Sequence, residues 1–391
     1  MRIITDFKNC TGCRACEQKC NKKAISMQDN AEGFLYPNIN ETLCNQCGLC
    51  EKICPMFRDD LQSDVLETFA AKSLNREQVL KSASGGIFPV LAESILEQNG
   101  VVFGCAYDEN LVAKHIAIEN LSELHKLQSS KYVQSDTLNT YKQAKAFLEQ
   151  NRKVLYSGTP CQIAGLKAFY GKDCENLITV DLICHGVPSP KLFAKYIDWL
   201  YKRMGGKIIE YNFRTKEQGG WVAVKRIKAR TKTKVKYFIP LLDPYFLAFA
   251  ENKTLRECCY SCKYAYGKRA SDLTIGDYWG IEKMHPDFFS RDGVSAVLIN
   301  THKGKKIWRK CSNKIKSIQS SFENIIKNNL KSPPERPISR NFIYNMEESI
   351  FKISFSTKLS YYLNYSLRRL KRLTPNKIKQ KITIKNGFIN D

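Results

Sequence analysis

No stretch of the 391 residues reaches the roughly 18 consecutive apolar residues that a membrane-spanning helix requires. The opening residues, Met1 to Lys8, have neither the apolar h-region nor the small-residue cleavage site of a secretory leader. No internal repeat stands out apart from two runs of cysteine. These absences argue against a helical membrane protein and against an exported one. A cytoplasmic chain is expected. In that reducing compartment sixteen cysteines are not a disulfide framework, and metal or redox chemistry is the expectation.

Hydrophobic content is ordinary at 43%, enough for a sizeable core, and the length suits two or three domains. The formal net charge of +24 is uneven. Residues 1–60 hold 8 Lys/Arg and 8 Asp/Glu, whereas residues 305–391 hold 20 and 5. The excess belongs to the C-terminal part. It suggests an acidic partner, or simply a solvated basic surface.

Eight cysteines crowd into the first 54 residues: Cys10-x2-Cys13-x2-Cys16-x3-Cys20 and Cys44-x2-Cys47-x2-Cys50-x3-Cys54-Pro55. This is the spacing of bacterial two-cluster ferredoxins, in which the fourth cysteine of each run serves the other cluster. One [4Fe–4S] cluster is expected on Cys10, Cys13, Cys16 and Cys54, the other on Cys44, Cys47, Cys50 and Cys20. Asn21 stands where proline usually follows the first run, leaving all eight ligands intact. Zinc sites also use C-x2-C pairs but do not need the duplicated four-cysteine run.

After a polar connector at residues 59–66 the texture turns α/β. Strands are expected at 101–107, 154–157 and 177–183, with helices at 137–150 and about 161–170. Ligands then belong at the strand C-termini. The fold class is therefore α+β or α/β: a small two-cluster ferredoxin module at 1–58, an α/β domain over 65–150 and 151–330, and a basic, partly helical tail at 345–391. From Val224 to Lys236 basic residues alternate with apolar ones, giving a ribbon with one charged face that can protect a sheet edge. It has no aromatic residue before Tyr237, which counts against nucleic-acid binding. Ser332-Pro333-Pro334-Glu335-Arg336-Pro337 should end a helix.

Small residues at Ser84, Gly85 and Gly86 precede a helix, a shape suited to a pyrophosphate or, alternatively, to an ordinary N-cap at Ser84. Further motifs follow in order: Ser130-Lys131-Tyr132-Val133-Gln134-Ser135, Gly158-Thr159-Pro160-Cys161-Gln162-Ile163-Ala164-Gly165-Leu166, Asp181-Leu182-Ile183-Cys184-His185-Gly186, Phe213-Arg214-x-Lys216 with Gly220-Trp221, and Asp272-Leu273-Thr274-Ile275-Gly276-Asp277-Tyr278-Trp279-Gly280. Together these resemble the coenzyme F-420 hydrogenase/dehydrogenase beta subunit family over roughly residues 65–300. The resemblance implies an FAD-binding α/β oxidoreductase that exchanges electrons with iron–sulfur clusters, and usually one further cluster. It would place FAD at Ser84, Gly85 and Gly86, with Lys131, Tyr132 and Thr159 near the flavin. His185 becomes a candidate proton or hydrogen-bond donor, or a structural loop histidine. The implied partner is a redox protein or a small electron carrier. The resemblance extends to proteins of surface-polysaccharide biosynthesis. A non-catalytic chain that only feeds electrons to a partner enzyme is the alternative reading.

Cys161 and Cys184 each follow an expected strand, and Cys259-x2-Cys262 suits two corners of a cubane. A third [4Fe–4S] cluster is expected on Cys161, Cys184, Cys259 and Cys262, with Cys258 able to replace Cys259. Buried free thiols are the alternative. In the tail, Phe351, Phe355, Leu359, Tyr362, Leu363 and Leu367 recur at helical spacing among basic residues, suiting either an anionic membrane surface, at the inner face of the membrane, or a docked helix.

The crossed fourth ligand makes a specific prediction. Anaerobic dithionite titration should bleach the visible absorption of the protein, and Cys20→Ser should perturb the second cluster while sparing the first. A reduction-silent protein that carries zinc would sink this assignment.

Overall fold

The computed structural model describes residues 8–329, 332–345 and 351. The basic segment beyond lies outside the described residues. Among those described, no helix is long and apolar enough to cross a membrane.

The N-terminal module has a two-stranded antiparallel ribbon, β1 (Ile25–Asp29) and β2 (Leu35–Ile39), with Ile25 opposite Ile39. Two short helices, Ala15–Lys19 and Leu49–Lys52, flank it, each beginning within a cysteine run. Its interior is thin: Cys50 and Ile25 are buried, with Cys16, Cys20 and Ile39 against them. So slight a core needs the staples that the cysteine runs can supply.

The larger domain is built on one mixed sheet. Its strands are β3 (Glu67–Ser73), β4 (Val101–Tyr107), β5 (Ala113–Ile118), β6 (Val154–Gly158) and β7 (Leu177–Leu182). After a separate small sheet of β8 (Glu210–Asn212), β9 (Ile227–Arg230) and β10 (Val235–Phe238), the large sheet is completed by β11 (Leu273–Asp277), β12 (Ser295–Ile299) and β13 (Ile315–Gln319). The spatial order is β13-β3-β12-β11-β7-β6-β4-β5. Strands β4, β6, β7 and β11 run parallel, and antiparallel strands extend both sides. Helices Ile87–Leu96, Thr140–Glu149 and Pro160–Tyr170 pack against this sheet through apolar faces. The central strands are covered on both faces, so their sequences are apolar runs rather than alternations.

The expected strands and helices appear within a few residues of their predicted limits. Strands β3, β5, β11, β12 and β13 lie outside the strands expected from the sequence. The basic ribbon is a hairpin rather than one strand. Ile227 and Ala229 face the core, while Lys228 pairs with Glu210 and Glu217, and Arg230 with Glu210. Its charge is therefore partly answered by acids from the same layer. The polar connector is tied down too: Leu61 is buried, and Ser63 and Arg269 exchange backbone hydrogen bonds of 2.9 Å. The helix ahead of the proline cluster, Phe322–Asn329, stops before it.

One buried ion pair ties β7 to the segment that leads into its parallel neighbour β11. Arg269 donates to Asp181 at 3.0 Å with both side chains fully buried, and Thr274 and Asn300 complete the network. Asp181→Ala strands that guanidinium in the core. It is expected to cost about 3–5 kcal/mol, read as a lowered urea midpoint, and an unchanged midpoint would deny the pair its role.

Candidate functional site

The C-terminal ends of the parallel strands open onto a cavity of about 760 Å³, within the range of small-molecule and cofactor sites. Cys105 lies on β4, Ser157 and Gly158 end β6, Leu182 ends β7, and Ile275 to Asp277 end β11, and all of them line it. Loops after parallel strands gather at this edge of an α/β sheet, so residues far apart in sequence meet there.

One wall is the turn Ser82–Gly86 before the helix Ile87–Leu96. Gly86 is the N-cap, with φ of +77° and no side-chain cap. Ser84 is therefore not the cap; its hydroxyl donates to the Val294 carbonyl at 2.8 Å. Gly85 does not line the cavity. A Cβ there would lie 2.4 Å from the Ala71 carbonyl and 2.7 Å from the Ser295 nitrogen. Close packing onto β3 and β12 demands this glycine, rather than the approach of a ligand. The helix start, which has no side-chain cap, nonetheless borders the cavity through Ser82, Ser84 and Gly86.

Lys131, Tyr132, Thr159 and His185 also line the cavity. Lys131 donates to the carbonyls of Lys126 and Gln128, and burial lowers its pKa. Tyr132 accepts from Arg214 at 2.9 Å and stacks on Phe249. Thr159 caps the helix Pro160–Tyr170 in a capping box with Gln162, and its hydroxyl lies 3.2 Å from the Cys161 sulfur. His185 is open to the cavity, its Nε2 2.7 Å from Asn252 Oδ1, and the enclosing protein holds its pKa below the usual value.

Three residues the sequence left without a role, Arg214, Asp277 and Trp279, complete this wall, with Trp221 behind them. Arg214 donates twice to Asp277, at 2.7 and 3.1 Å, and Trp221 Nε1 donates to the same carboxylate at 2.8 Å. Trp279 stacks on Trp221 at 5.0 Å between ring centroids. Arg214 and Asp277 stand 63 residues apart, and nothing in the spacing of their motifs announces the pair.

The cavity floor is sulfur. Cys161 sits in the first turn of its helix, Cys184 follows β7, Cys258 and Cys259 lie on the 3-10 turn Glu257–Ser261 and Cys262 follows it; all five line the cavity. Burial, and then the neighbouring Cys262, raise the thiol pKa of Cys161 and that of Cys184, the latter to about 12. Cys161 also feels Cys258, and Cys259 feels Cys184. The four expected ligands are thus brought together, with Cys258 beside them.

In the N-terminal module burial raises Cys13, Cys16 and Cys54, and their neighbours among Cys10, Cys13 and Cys54 add to it, bringing Cys13 to about 11 and Cys54 to about 12. Backbone N–H groups of Gly12, Ala24 and Gln46 point at the sulfurs of Cys10, Cys20 and Cys44, each at 3.4 Å, as stabilised thiolates require. Cys47 is exposed, so the second run reaches the surface. Among the described residues no three His, Cys, Asp or Glu side chains converge as ligands of a single ion. A cubane asks for a wider arrangement, one thiolate at each of four irons. These donor sets fit cubanes in their chemistry and neighbourhood.

Residues 9–57 match a 4Fe-4S dicluster domain, and residues 151–322 match the family described as the C-terminal part of the coenzyme F420 hydrogenase/dehydrogenase beta subunit. One component of the F(420)H(2) dehydrogenase of Methanosarcina mazei is 22% identical over 311 residues, 76% of this chain and 80% of that protein. The coenzyme F420-dependent sulfite reductase of Methanocaldococcus jannaschii is 23% identical over 311 residues, 78% of this chain but 46% of that larger protein. Among solved structures, a chain of the F420-reducing [NiFe] hydrogenase complex from Methanosarcina barkeri aligns with a TM-score of 0.47 at 18% identity, covering 75% of this chain and 91% of that one.

The glycine geometry yields a test. Gly85→Ala forces β3 and β12 apart and is expected to lower stability by about 1–3 kcal/mol, as overpacking does. Thermal unfolding of the variant at the wild-type temperature would show the glycine to be dispensable for packing.

Proposed function

We propose that this chain, whose residues 151–322 match the C-terminal part of the coenzyme F420 hydrogenase/dehydrogenase beta subunit behind a 4Fe-4S dicluster domain, is an FAD-dependent iron–sulfur oxidoreductase of that kind. It passes electrons between a two-electron carrier and a redox partner protein. The observation that carries this reading is the shared cavity: an uncapped helix start and a polar wall of Lys131, Tyr132 and Thr159 stand over a floor of cysteines.

Flavin supplies the exchange of a hydride for single electrons, and the cubanes carry those electrons singly. The chain's own residues supply placement. Backbone N–H groups at Ser84 and Gly86 offer donors to a pyrophosphate. The Arg214–Asp277 pair holds Tyr132 and the stacked Trp221 and Trp279 as a rigid aromatic wall. His185, held by Asn252, would be the group that exchanges a proton or hydrogen bond with a ligand in the cavity. Cys161, Cys184 and Cys262, with Cys259 or Cys258, would hold the third cluster. The helix that carries Cys161 also carries Gly165, and a Cβ on Gly165 would lie 2.9 Å from the Cys13 sulfur. One helix therefore connects the cavity to the first ferredoxin cluster, and the exposed Cys47 side of the second faces outward.

The relatives named for the deazaflavin coenzyme suggest it, or a similar planar hydride carrier, as the two-electron partner. A place in surface-polysaccharide assembly rests on the sequence resemblance alone. A chain without flavin that only relays electrons to a partner enzyme is the competing reading.

Anaerobic purification with cofactor extraction separates the two. FAD near one per chain and about twelve irons, falling to about eight in Cys262→Ser, is the expected result. Protein that neither contains nor rebinds FAD would leave the relay reading.

A further inference from the structure

Arg256 is fully buried, yet among the described residues no carboxylate accepts from it. Its guanidinium donates to the Cys10 carbonyl at 2.7 Å, the Leu35 carbonyl at 2.8 Å and the Gln134 side-chain oxygen at 3.0 Å. Gln134 in turn donates to the Thr11 carbonyl at 2.9 Å. The flat face of the guanidinium lies 4.1 Å from the Tyr36 ring centroid. Every one of these partners is neutral. A buried charge of this kind is expensive unless an anion lies close.

The groups near it that would carry negative charge in clusters are sulfurs of two cysteine segments. On one side the guanidinium holds the Cys10 carbonyl, and in the chain Arg256 stands two residues ahead of Cys258. The contact is tight. Gly12, at φ of +68°, has room for no Cβ, because one would sit 2.9 Å from the guanidinium. On the other flank the Arg256 backbone binds both sides of the cavity floor: its N–H donates to Val187, three residues after Cys184, and its carbonyl accepts from Cys259, each at 2.9 Å.

We propose that Arg256 is a positioning residue for electron transfer, a fixed positive charge lodged between the first ferredoxin cluster and the cavity-floor cluster that raises the reduction potential of both. This rests on the cluster reading above. A cubane held by four thiolates is an anion, and reduction adds a further negative charge. A neighbouring cation therefore favours the reduced state at each end of the junction. The second ferredoxin cluster lies beyond the first run of cysteines and is spared. The effect is to hold an electron at the junction between cavity and ferredoxin module rather than at the outer cluster. Arginine suits the place because it stays charged when buried and its fork reaches three acceptors at once.

The test is an EPR-monitored redox titration of anaerobically reconstituted full-length protein: wild type, Arg256→Gln and Arg256→Lys, each with iron and sulfide counted. In the wild type three one-electron waves and about twelve irons establish the clusters themselves. Arg256→Gln is expected to shift two of the three waves at least tenfold towards the oxidised form, about 59 mV downward for a one-electron couple, and to leave the third in place. Arg256→Lys keeps the charge and should stay within about threefold of wild type, a figure scaled from the same constant. Fully loaded Arg256→Gln with all waves unmoved overturns the proposal. So does Arg256→Lys that loads fully yet shifts as far as a neutral residue should, or a failure of both variants to take up iron, which would mark the arginine as purely structural. If Arg256→Gln alone fails to load, retained potentials in Arg256→Lys support it. Wild-type protein with about eight irons removes the third cluster; one of its two waves must then still fall in Arg256→Gln, so the two failures read differently.

Discussion

The structure depends on how the first cysteine loop is seated in the larger domain. Cys13 lies against Gly165, in the middle of the helix Pro160–Tyr170, where any side chain would push the loop away. Thr137 donates to the Cys13 carbonyl at 3.1 Å, and Gln134 to that of Thr11. In the reverse direction Gln18 of the ferredoxin module accepts from the Tyr141 and Lys142 N–H groups at the start of the helix Thr140–Glu149, a helix with no side-chain cap of its own. Each part thus satisfies backbone groups of the other. A module whose own core is slight gains a rigid support, and its first cysteines are held close to a cavity that opens on the far side of one helix.

The same helix explains why the cavity and the ferredoxin module communicate at all. Its first turn carries Cys161 on the cavity floor, and its second carries Gly165 beneath Cys13. Strand β6 aims that helix, and the parallel pairing of β6 with β7 brings Cys184 alongside. Arg269, anchored on Asp181, donates to the carbonyls of Leu182 and Tyr264 and so ties the end of β7 to the turn that follows Cys262. The chemistry sits on loops, but rigid strands and two buried arginines place those loops.

Charge on this molecule has two kinds of address. The alternating basic hairpin is answered by Glu210 and Glu217 and packs as an ordinary outer layer. The arginines that matter for the site are few and buried. Arg214 is neutralised by Asp277, Arg269 by Asp181 and Arg340 by Glu32. Among the described residues Arg256 donates to neutral acceptors alone. Net charge alone therefore says little about where electrostatics acts here.

By itself the sequence determined whatever rests on short-range chemistry. Two cysteine runs at fixed spacing can hardly serve anything but paired clusters, because three thiols within seven residues are aimed by one local turn. The apolar runs of β4, β6 and β7 marked buried parallel strands, because strands covered on both faces cannot alternate. Only the tertiary structure decided what joins distant segments: that Gly85 serves the packing of β3 and β12, that Arg214 meets Asp277, that the helix starting at Ile87 opens on the same cavity as Cys262, and that Arg256 reaches the Cys10 loop. No periodicity encodes such meetings. They arise when the order of strands in the sheet brings their C-terminal ends to one edge, and that order is set by the packing of the whole chain rather than by any one stretch of it.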